Sequence, residues 1–499
     1  MAERSHAVPP LRLREAFPAV TTEAWDALVR QDLAGQSYET RLLWHTDEGL
    51  TVKPFYRAED LSPTSETRDE RLPTGERGLH TADSPQPTAD GDIPTSGWQI
   101  AVQPTWSADA IRGDLIHDAG GNAVHELAWI LAEAVERHLE TGDVVTADAD
   151  APAAGPYLDR ATEIVSAVGS AYFVEIAKLR ALRRLWARAL TAFPPTTSPA
   201  MRLHVRTSRA NKSALDPGTN LLRVTTEAMS AVLGGADVVL VEPHGFDPHL
   251  AVNVQHLLAE EAHLGATADP AAGAYYIEWM TDRLGAAAWA LFQSIESSGG
   301  YATAARAGLR EEHLEAAREA RRRDVATRRR VLVGVNTYPD VESPAPVPLP
   351  SPSPDDESGA LHTVRLAEPF EAIRVRTSRH AAATGRIPRV HLLTRGDVVR
   401  RMARAAFSRN LFGCAGLAVS ESTELPADAD LIVLCAADAD YPALVDEIRP
   451  AVSVPLIVAG RPASNIECLE AAGVDDFIYA GIDAVATLTM WQDRLGLAR

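Results

Sequence analysis

A chain of 499 residues exceeds the size at which one hydrophobic core stops growing, so two or three domains are expected. With 46% hydrophobic and 23% charged residues it has an ordinary globular make-up, and no run reaches the roughly 20 apolar residues of a membrane span. A formal charge of -20 and a pI near 5.2 disfavour nucleic acid and anionic membranes as main partners, because phosphate contacts need a positive field.

The N-terminus, MAERSHAVPPLRLREAF, lacks the apolar core of a secretory signal, so a cytoplasmic location is expected. Residues 1–60 hold a helix entered through Thr21 and Thr22 and then two short strands. That piece is too small to bury a core alone and is expected to wrap a neighbour as an arm. Residues 61–96 are polar, rich in proline, threonine, aspartate and serine, and are expected to be a disordered connector.

Residues 97–338 read as parallel βα units, with strands at 97–104 (GWQIAVQP), 113–120 (GDLIHDAG), 162–169 (TEIVSAVG), 201–208 (MRLHVRTS) and 236–243 (ADVVLVEP). Five strands are three short of a (β/α)₈ TIM-type barrel, so a shortened barrel is expected. A helix over 287–298 continues beyond the last strand. The basic run REARRRDVATRRR, 318–330, reads as a solvated helix face. Residues 339–360 are proline-rich and acidic, a stiff, self-repelling spacer.

Residues 361–499 alternate again, with RVHLL, GLAVSE, ADLIVLCAA, VPLIVAG and DDFIYAG as strands of a doubly wound, flavodoxin-type domain. Cys414, Cys435 and Cys468 have no C-x-x-C spacing and read as small core residues of a reduced protein. Ligands in such domains sit beyond the carboxyl ends of the strands, against the next helix. After RVHLL that place is taken by Thr394, Arg395, Gly396 and Asp397, with no glycine-rich cradle and no histidine.

The stretch 253–300 carries Glu260 and Glu261, then Asp269, Pro270, Gly273, Tyr275, Tyr276 and Glu278, then a helix with Trp289 that ends at Gly300. With FVEIAKLRALRRLWA, and RTS followed by DPGTNLLRVTTEAMSAVLGG, this resembles the methylmalonyl-CoA mutase family. The resemblance covers most of the chain and is nearer the family's small subunit than its catalytic large subunit. It implies a heterodimer that interconverts succinyl-CoA and methylmalonyl-CoA by radical chemistry, with adenosylcobalamin on the large subunit. It also implies that 361–499 is a degenerate cobalamin-binding-like domain. The catalytic subunits carry a D-x-H-x-x-G loop whose histidine reaches the cobalt. Here Asp397 is followed two residues later by Val399, so no histidine ligand is expected. The aromatic and arginine-rich substrate segment is replaced by the polar 61–97 stretch, and strands between the first and second are missing.

His117 matches the family's active-site histidine, and Arg206, Thr207 and Ser208 end a strand that carries polar contacts in catalytic members. Arg206 stands where the family has glutamine. His117, Arg206 and Ser208 are therefore vestigial candidates, the alternatives being hydrogen-bonded strand ends without chemistry. Glu242, His244 and His249 could form a loop metal site, although Pro243 and Pro248 stiffen the loop and no metal is expected. Glu260 and Glu261 point about 100° apart on a helix and share no site. The leading expectation is a non-catalytic small subunit that stabilises the large one and meets acyl-CoA only through the complex. An independent acyl-CoA-binding or isomerising enzyme, and a regulator or chaperone of a cobalamin enzyme, remain the alternatives.

Overall fold

The computed structural model describes residues 20–61, 97–142, 162–191, 201–341 and 361–498, so the two expected linkers lie almost wholly outside the described residues. The arm consists of α1 (Thr22–Asp32), α2 (Tyr38–Leu42) and the antiparallel hairpin β1 (Trp44–His45) and β2 (Thr51–Val52). The Thr21 hydroxyl accepts the Ala24 N–H and caps α1. The hairpin lies on the chain's own barrel: Val52 and Tyr56 are buried, and Tyr56 stacks on Trp279 at 4.6 Å between ring centroids. Helix α1, by contrast, has no buried residue. The arm is thus half anchored and half open.

The first sheet holds β3 (Gln99–Ala101), β4 (Ile111–Arg112), β5 (Thr162–Val168), β6 (Met201–Thr207) and β7 (Val238–Leu240), all parallel, in the order β3-β7-β6-β5-β4. The last strand pairs with the first, as it does when a barrel closes. Strands β3 and β4 are neighbours in sequence yet occupy opposite edges and are not paired, so the sheet is an open arc of a barrel. The segment 113–120 is corrected: it is not a strand but α3 (Gly113–Asp118), and β4 precedes it. Helices α4 (Ala123–Gly142), α5 (Tyr172–Leu190) and α6 (Pro217–Leu233) cover the outer face, where Ile164, Val168, Leu203, Val205 and Val239 join one core with Leu127, Leu179 and Val224. Then come α7 (Pro248–His256), α8 (Tyr275–Ser297), α9 (Gly300–Arg306) and α10 (Leu309–Ala326). The helix read over 287–298 is the second half of α8.

The C-terminal domain runs α11 (Glu368–Thr384), β8 (Arg389–Thr394), α12 (Val398–Cys414), β9 (Ala418–Ser422), β10 (Leu431–Cys435), α13 (Tyr441–Ile448), β11 (Leu456–Ala459), α14 (Ile466–Ala471), β12 (Asp476–Ile478) and α15 (Ala484–Arg494). Its sheet is parallel in the order β12-β11-β10-β8-β9, the flavodoxin-type winding read from the sequence. Strands β10 and β11 are buried along their whole length because helices cover both faces. Phe370, Phe412 and Cys414 share a core with Leu215, Val325 and Leu332 of the barrel piece, so the two parts pack against each other. Among the described residues no helix is long and apolar enough to cross a membrane.

Two readings need correction. Cys414 and Cys435 are buried, but Cys468 is exposed on the short helix α14. The basic run is not simply a solvated face. Arg318 donates to the Ala119 carbonyl at 2.6 Å, Arg321 and Arg330 bind Asp47 of the arm, and Arg328 lies over the Phe407 ring. Arg322, Arg323 and Arg329 keep the expected exposure, Arg322 at 50% and Arg329 at 77%.

Helices α4 and α10 meet through His125 and His313, whose rings stack at 5.4 Å and 7°. Burial first, then His313 and Arg321, lower the His125 pKa from its usual value to about 4. Burial also lowers that of His313, with Glu312 opposing. Both groups take a proton more readily in the unfolded chain. Their contribution to stability is complete above the unfolded pKa near 6.5 and is lost as pH falls toward 4. Thermal midpoints should therefore drop from pH 7.5 to pH 5 by more in the wild type than in His125→Gln. Equal drops would place the acid sensitivity elsewhere.

Candidate functional site

Successive residues of a strand face opposite sides of the sheet. Leu203 and Val205 of β6 point to the helices, which leaves His204 and Arg206 for the concave side. The connection from β3 to β4, residues 102–110, runs across that side. Its Trp106 packs edge-on to His204 at 6.1 Å and lies against the Arg112 guanidinium at 5.2 Å. Arg112 binds both oxygens of Asp114 at 2.8 Å. The interior is filled by the chain's own side chains.

Asp114 and Asp118 stand one helical turn apart on α3, so both reach the same group. That group is Arg206, which is fully buried: its Nε donates to Asp114 at 2.7 Å and its Nη2 to Asp118 at 2.6 Å. Burial alone would raise the Asp118 carboxyl, but Arg206, with His117 and Arg209 beyond it, lowers the pKa to about 2. Burial likewise disfavours the charged guanidinium, and Asp118, Asp114 and Glu242 together raise its pKa well above the ordinary value. Asp118 and Arg206 therefore face each other as a charged pair at neutral pH.

His117 follows on the same helix. Its Nε2 lies 3.0 Å from the Ser208 hydroxyl and its Nδ1 3.4 Å from Glu126. Ser208 in turn donates to Asp118 at 3.3 Å. The three sequence candidates His117, Arg206 and Ser208 thus come together in one network, linked through Asp118. Glu126 is also gripped by Lys178 at 2.8 Å, and Lys178 binds Glu175 at 2.7 Å. Against the cost of burial, Lys178 and His117 lower the Glu126 pKa to about 2. Both ring nitrogens of His117 are occupied within the protein. The space left beside it is a cavity of about 90 Å³ lined by His117, Lys178, Ser208, Asp47 and Arg321 among others. Small-molecule sites are typically 300–1,000 Å³.

The mouth of the arc is crossed by the chain itself. The Val364 N–H donates to the Asp118 carbonyl and the Leu366 N–H to that of Ala210, each at 2.8 Å, and Glu371 accepts from Ala214 N–H at 2.8 Å. Asp114, Asp118, Glu126 and Lys178 were not singled out in the sequence. The available signal was the spacing of two aspartates by four residues, which the strand reading of 113–120 concealed.

The other candidates do not converge. Glu242 is held by Arg209 at 3.0 and 2.6 Å, His244 is buried, and His249 is exposed at the start of α7. Among the described residues no three histidine, cysteine or acidic groups are placed to hold a metal ion. Glu260 and Glu261 lie on a π-helical turn, Leu257–Glu261, and both face outward.

In the C-terminal domain the switch point of the winding lies between β8 and β10, where a ligand would enter. Thr394 ends β8 buried, Arg395 donates its backbone N–H to the Cys435 carbonyl, and Asp397 caps α12 by accepting from Arg400 N–H at 2.9 Å. Gly396 has φ +72°, and a Cβ there would run into Asp440. The crevice is occupied by Arg404. Its guanidinium binds Asp438 at 2.5 Å, the Tyr441 hydroxyl at 2.7 Å and the Ala459 carbonyl, and it fills the space against Gly460. His391, on β8, has Ser420 at 2.9 Å and Ser422 at 3.1 Å on its two nitrogens and is buried. Val399 stands two residues after Asp397, His391 is engaged by two serines, and Arg404 takes up the space beside Gly460, so the residues at this edge do not fit a cobalt ligand set.

A family model described as methylmalonyl-CoA mutase matches residues 81–384. The methylmalonyl-CoA mutase small subunit of Porphyromonas gingivalis is 29% identical over 620 aligned positions, covering 97% of this chain and 99% of that protein. The small subunit of Streptomyces virginiae is 35% identical over 408 positions, 77% of this chain and 63% of that protein. The methylmalonyl-CoA mutase of Escherichia coli is 34% identical over 254 positions, covering 48% of this chain and 34% of that protein. The chain therefore spans nearly the whole of one relative, less than two thirds of the second and a third of the last.

Proposed function

The chain belongs to the methylmalonyl-CoA mutase family as a small subunit, and we propose that it supplies surface rather than chemistry to a heterodimer with a large catalytic subunit. The observation that carries this reading is Arg206, locked between Asp114 and Asp118 where an open barrel would admit substrate. The family uses adenosylcobalamin. The groups at the β8 to α12 edge do not fit it, so the cofactor belongs on the large subunit and no reaction step is assigned to this chain. Interconversion of succinyl-CoA and methylmalonyl-CoA is then a property of the complex.

The size of the arc supports the same reading. The alignment to the Porphyromonas protein is 620 positions long against 499 residues here, so more than a hundred of its positions have no counterpart in this chain. At roughly 30 residues per βα unit, three missing units account for about 90 positions, the larger part of that deficit. Radical chemistry needs a wall that excludes water, and a five-stranded arc lacks it. An independent acyl-CoA enzyme would need a closed pocket several times larger than about 90 Å³.

The test is sedimentation of this chain mixed with the large mutase subunit from the same genome. A stable one-to-one complex is expected. A well-behaved monomer that ignores the large subunit would favour an independent enzyme, and a complex that forms only transiently would favour a regulator or chaperone. Within the heterodimer, His117→Ala should change turnover less than about threefold. A fall of a hundredfold or more at unchanged complex stability would make the arc catalytic.

A further inference from the structure

Helix α12 is apolar on two faces. Ala405, Ser408, Leu411 and Phe412 face the sheet and are buried, which is what a helix of a doubly wound domain requires. Val399, Met402, Ala403 and Ala406 recur at the helical spacing on another face, and all four are exposed, Val399 by 77% and Met402 by 54%. Val398, exposed by 59%, extends the patch to the first residue of the helix. A second apolar stripe serves nothing within this domain.

Around that stripe stand Arg395, Arg400 and Arg401. Among the described residues none of their guanidinium groups has a carboxylate within ion-pair distance. Several other arginines of the same domain are matched, among them Arg365 with Glu371, Arg386 with Asp430, Arg389 with Asp428, Arg404 with Asp438 and Arg409 with Glu421. The nearby acids are engaged or turned to the loop, Asp397 as the helix cap and Asp440 against Gly396. In a chain of net charge -20, a local cluster of unmatched cations steers an acidic partner and fixes its register.

The position of the patch narrows the partner. Arg330 binds Asp47 in the turn of the arm, and two residues earlier Arg328 covers Phe407, one turn beyond Ala403 on α12. The arm and the open half of α12 thus adjoin one stretch of chain on one side of the molecule.

We propose that the first half of α12, with the β8 to α12 loop, is a docking surface for the large mutase subunit, receiving an apolar contact ringed by that subunit's carboxylates. The proposal rests on the small-subunit reading. It assigns the edge of the C-terminal domain that has lost its ligand crevice a role as interface, continuous with the arm. Arginine and methionine are enriched in interfaces, and an apolar centre inside a charged rim is the usual layout.

The test compares heterodimer affinity for the full chain, the Arg400→Glu/Arg401→Glu double variant and Val399→Asn/Met402→Gln, at 50 and 300 mM salt. All four positions are exposed or half-exposed, so thermal midpoints of the variants should match the parent. The charge reversal should raise Kd at least tenfold at low salt and remove most of the salt dependence of the association rate, and the polar pair should raise Kd at both salts. An unchanged Kd in both variants overturns this surface while leaving the small-subunit reading intact. Self-association of the parent chain that the variants abolish, with the heterodimer unaffected, assigns the face to a second copy and also overturns it. No complex even with the unaltered chain overturns the small-subunit reading itself.

Discussion

Arg206→Leu is expected to destabilise the barrel arc by about 3–5 kcal/mol, the range for removing one member of a buried ion cluster, because buried Asp118 loses its guanidinium partner and Asp114 keeps only Arg112. Asp114 and Asp118 are both buried and both depend on that guanidinium, and Asp118 would regain its proton at a far higher pH. Urea unfolding of the purified chain, followed by far-ultraviolet circular dichroism, measures the loss. A companion variant, Arg206→Leu with Asp114→Asn and Asp118→Asn, removes the stranded charges and should recover part of it. A loss below about 1 kcal/mol in Arg206→Leu would mean that the cluster is hydrated and that the arc is not closed from within.

Removing residues 1–33 is expected to raise the Kd of the heterodimer at least a hundredfold, about 3 kcal/mol, with little effect on the fold of this chain. The reasons lie in the two halves of the arm. Helix α1 buries no residue, although its Trp25 contacts Phe55 and Leu28 is 58% exposed. The hairpin after it is anchored through Val52 and Tyr56 and stays in place in this deletion. Cutting further, to Gly97, would also take Val52 and Tyr56 from the barrel core and mix binding with folding. The C-terminal domain should remain folded in either deletion. An arm deletion that binds the large subunit as tightly as the full chain would assign α1 some other role. The interface expected here is above roughly 2,000 Å² and rich in apolar side chains, as permanent heterodimers are.

Much of the architecture was legible because the pattern was strong. Fully buried parallel strands such as LIVLC (431–435) leave continuous apolar runs, and all five C-terminal strands lie where those runs fall. The N-cap Thr21 and the two short strands of the arm followed from local rules in the same way. The segment 113–120 failed for a physical reason: Leu115 and Ile116 supply a short apolar run that fits strand or helix. The deciding constraint is tertiary, the need to bring Asp114 and Asp118 onto one side of α3 to hold Arg206. The basic run misled similarly. Composition alone cannot distinguish Arg318, which reaches the Ala119 carbonyl, from Arg329, which faces outward.

The candidate site was half legible. His117, Arg206 and Ser208 were named from their positions, and they do meet, but their partners Glu126, Lys178 and Asp118 lie on three helices or helix ends and carry no motif. In the C-terminal domain the missing histidine after Asp397 was visible in sequence. Arg404 was not, because a guanidinium that folds back across a crevice onto Asp438, Tyr441 and Ala459 looks in sequence like any exposed helix arginine.

The central claim is that this chain shapes a mutase without holding its cofactor. The most direct measurement is the stoichiometry of adenosylcobalamin, titrated by visible absorbance into the isolated chain and into the purified heterodimer. One cobalamin per one-to-one heterodimer and none on the isolated chain is the result predicted by the missing loop histidine and the crevice filled by Arg404. Two cobalamins per heterodimer, or saturable binding with a histidine-ligated spectrum on the isolated chain, would contradict it.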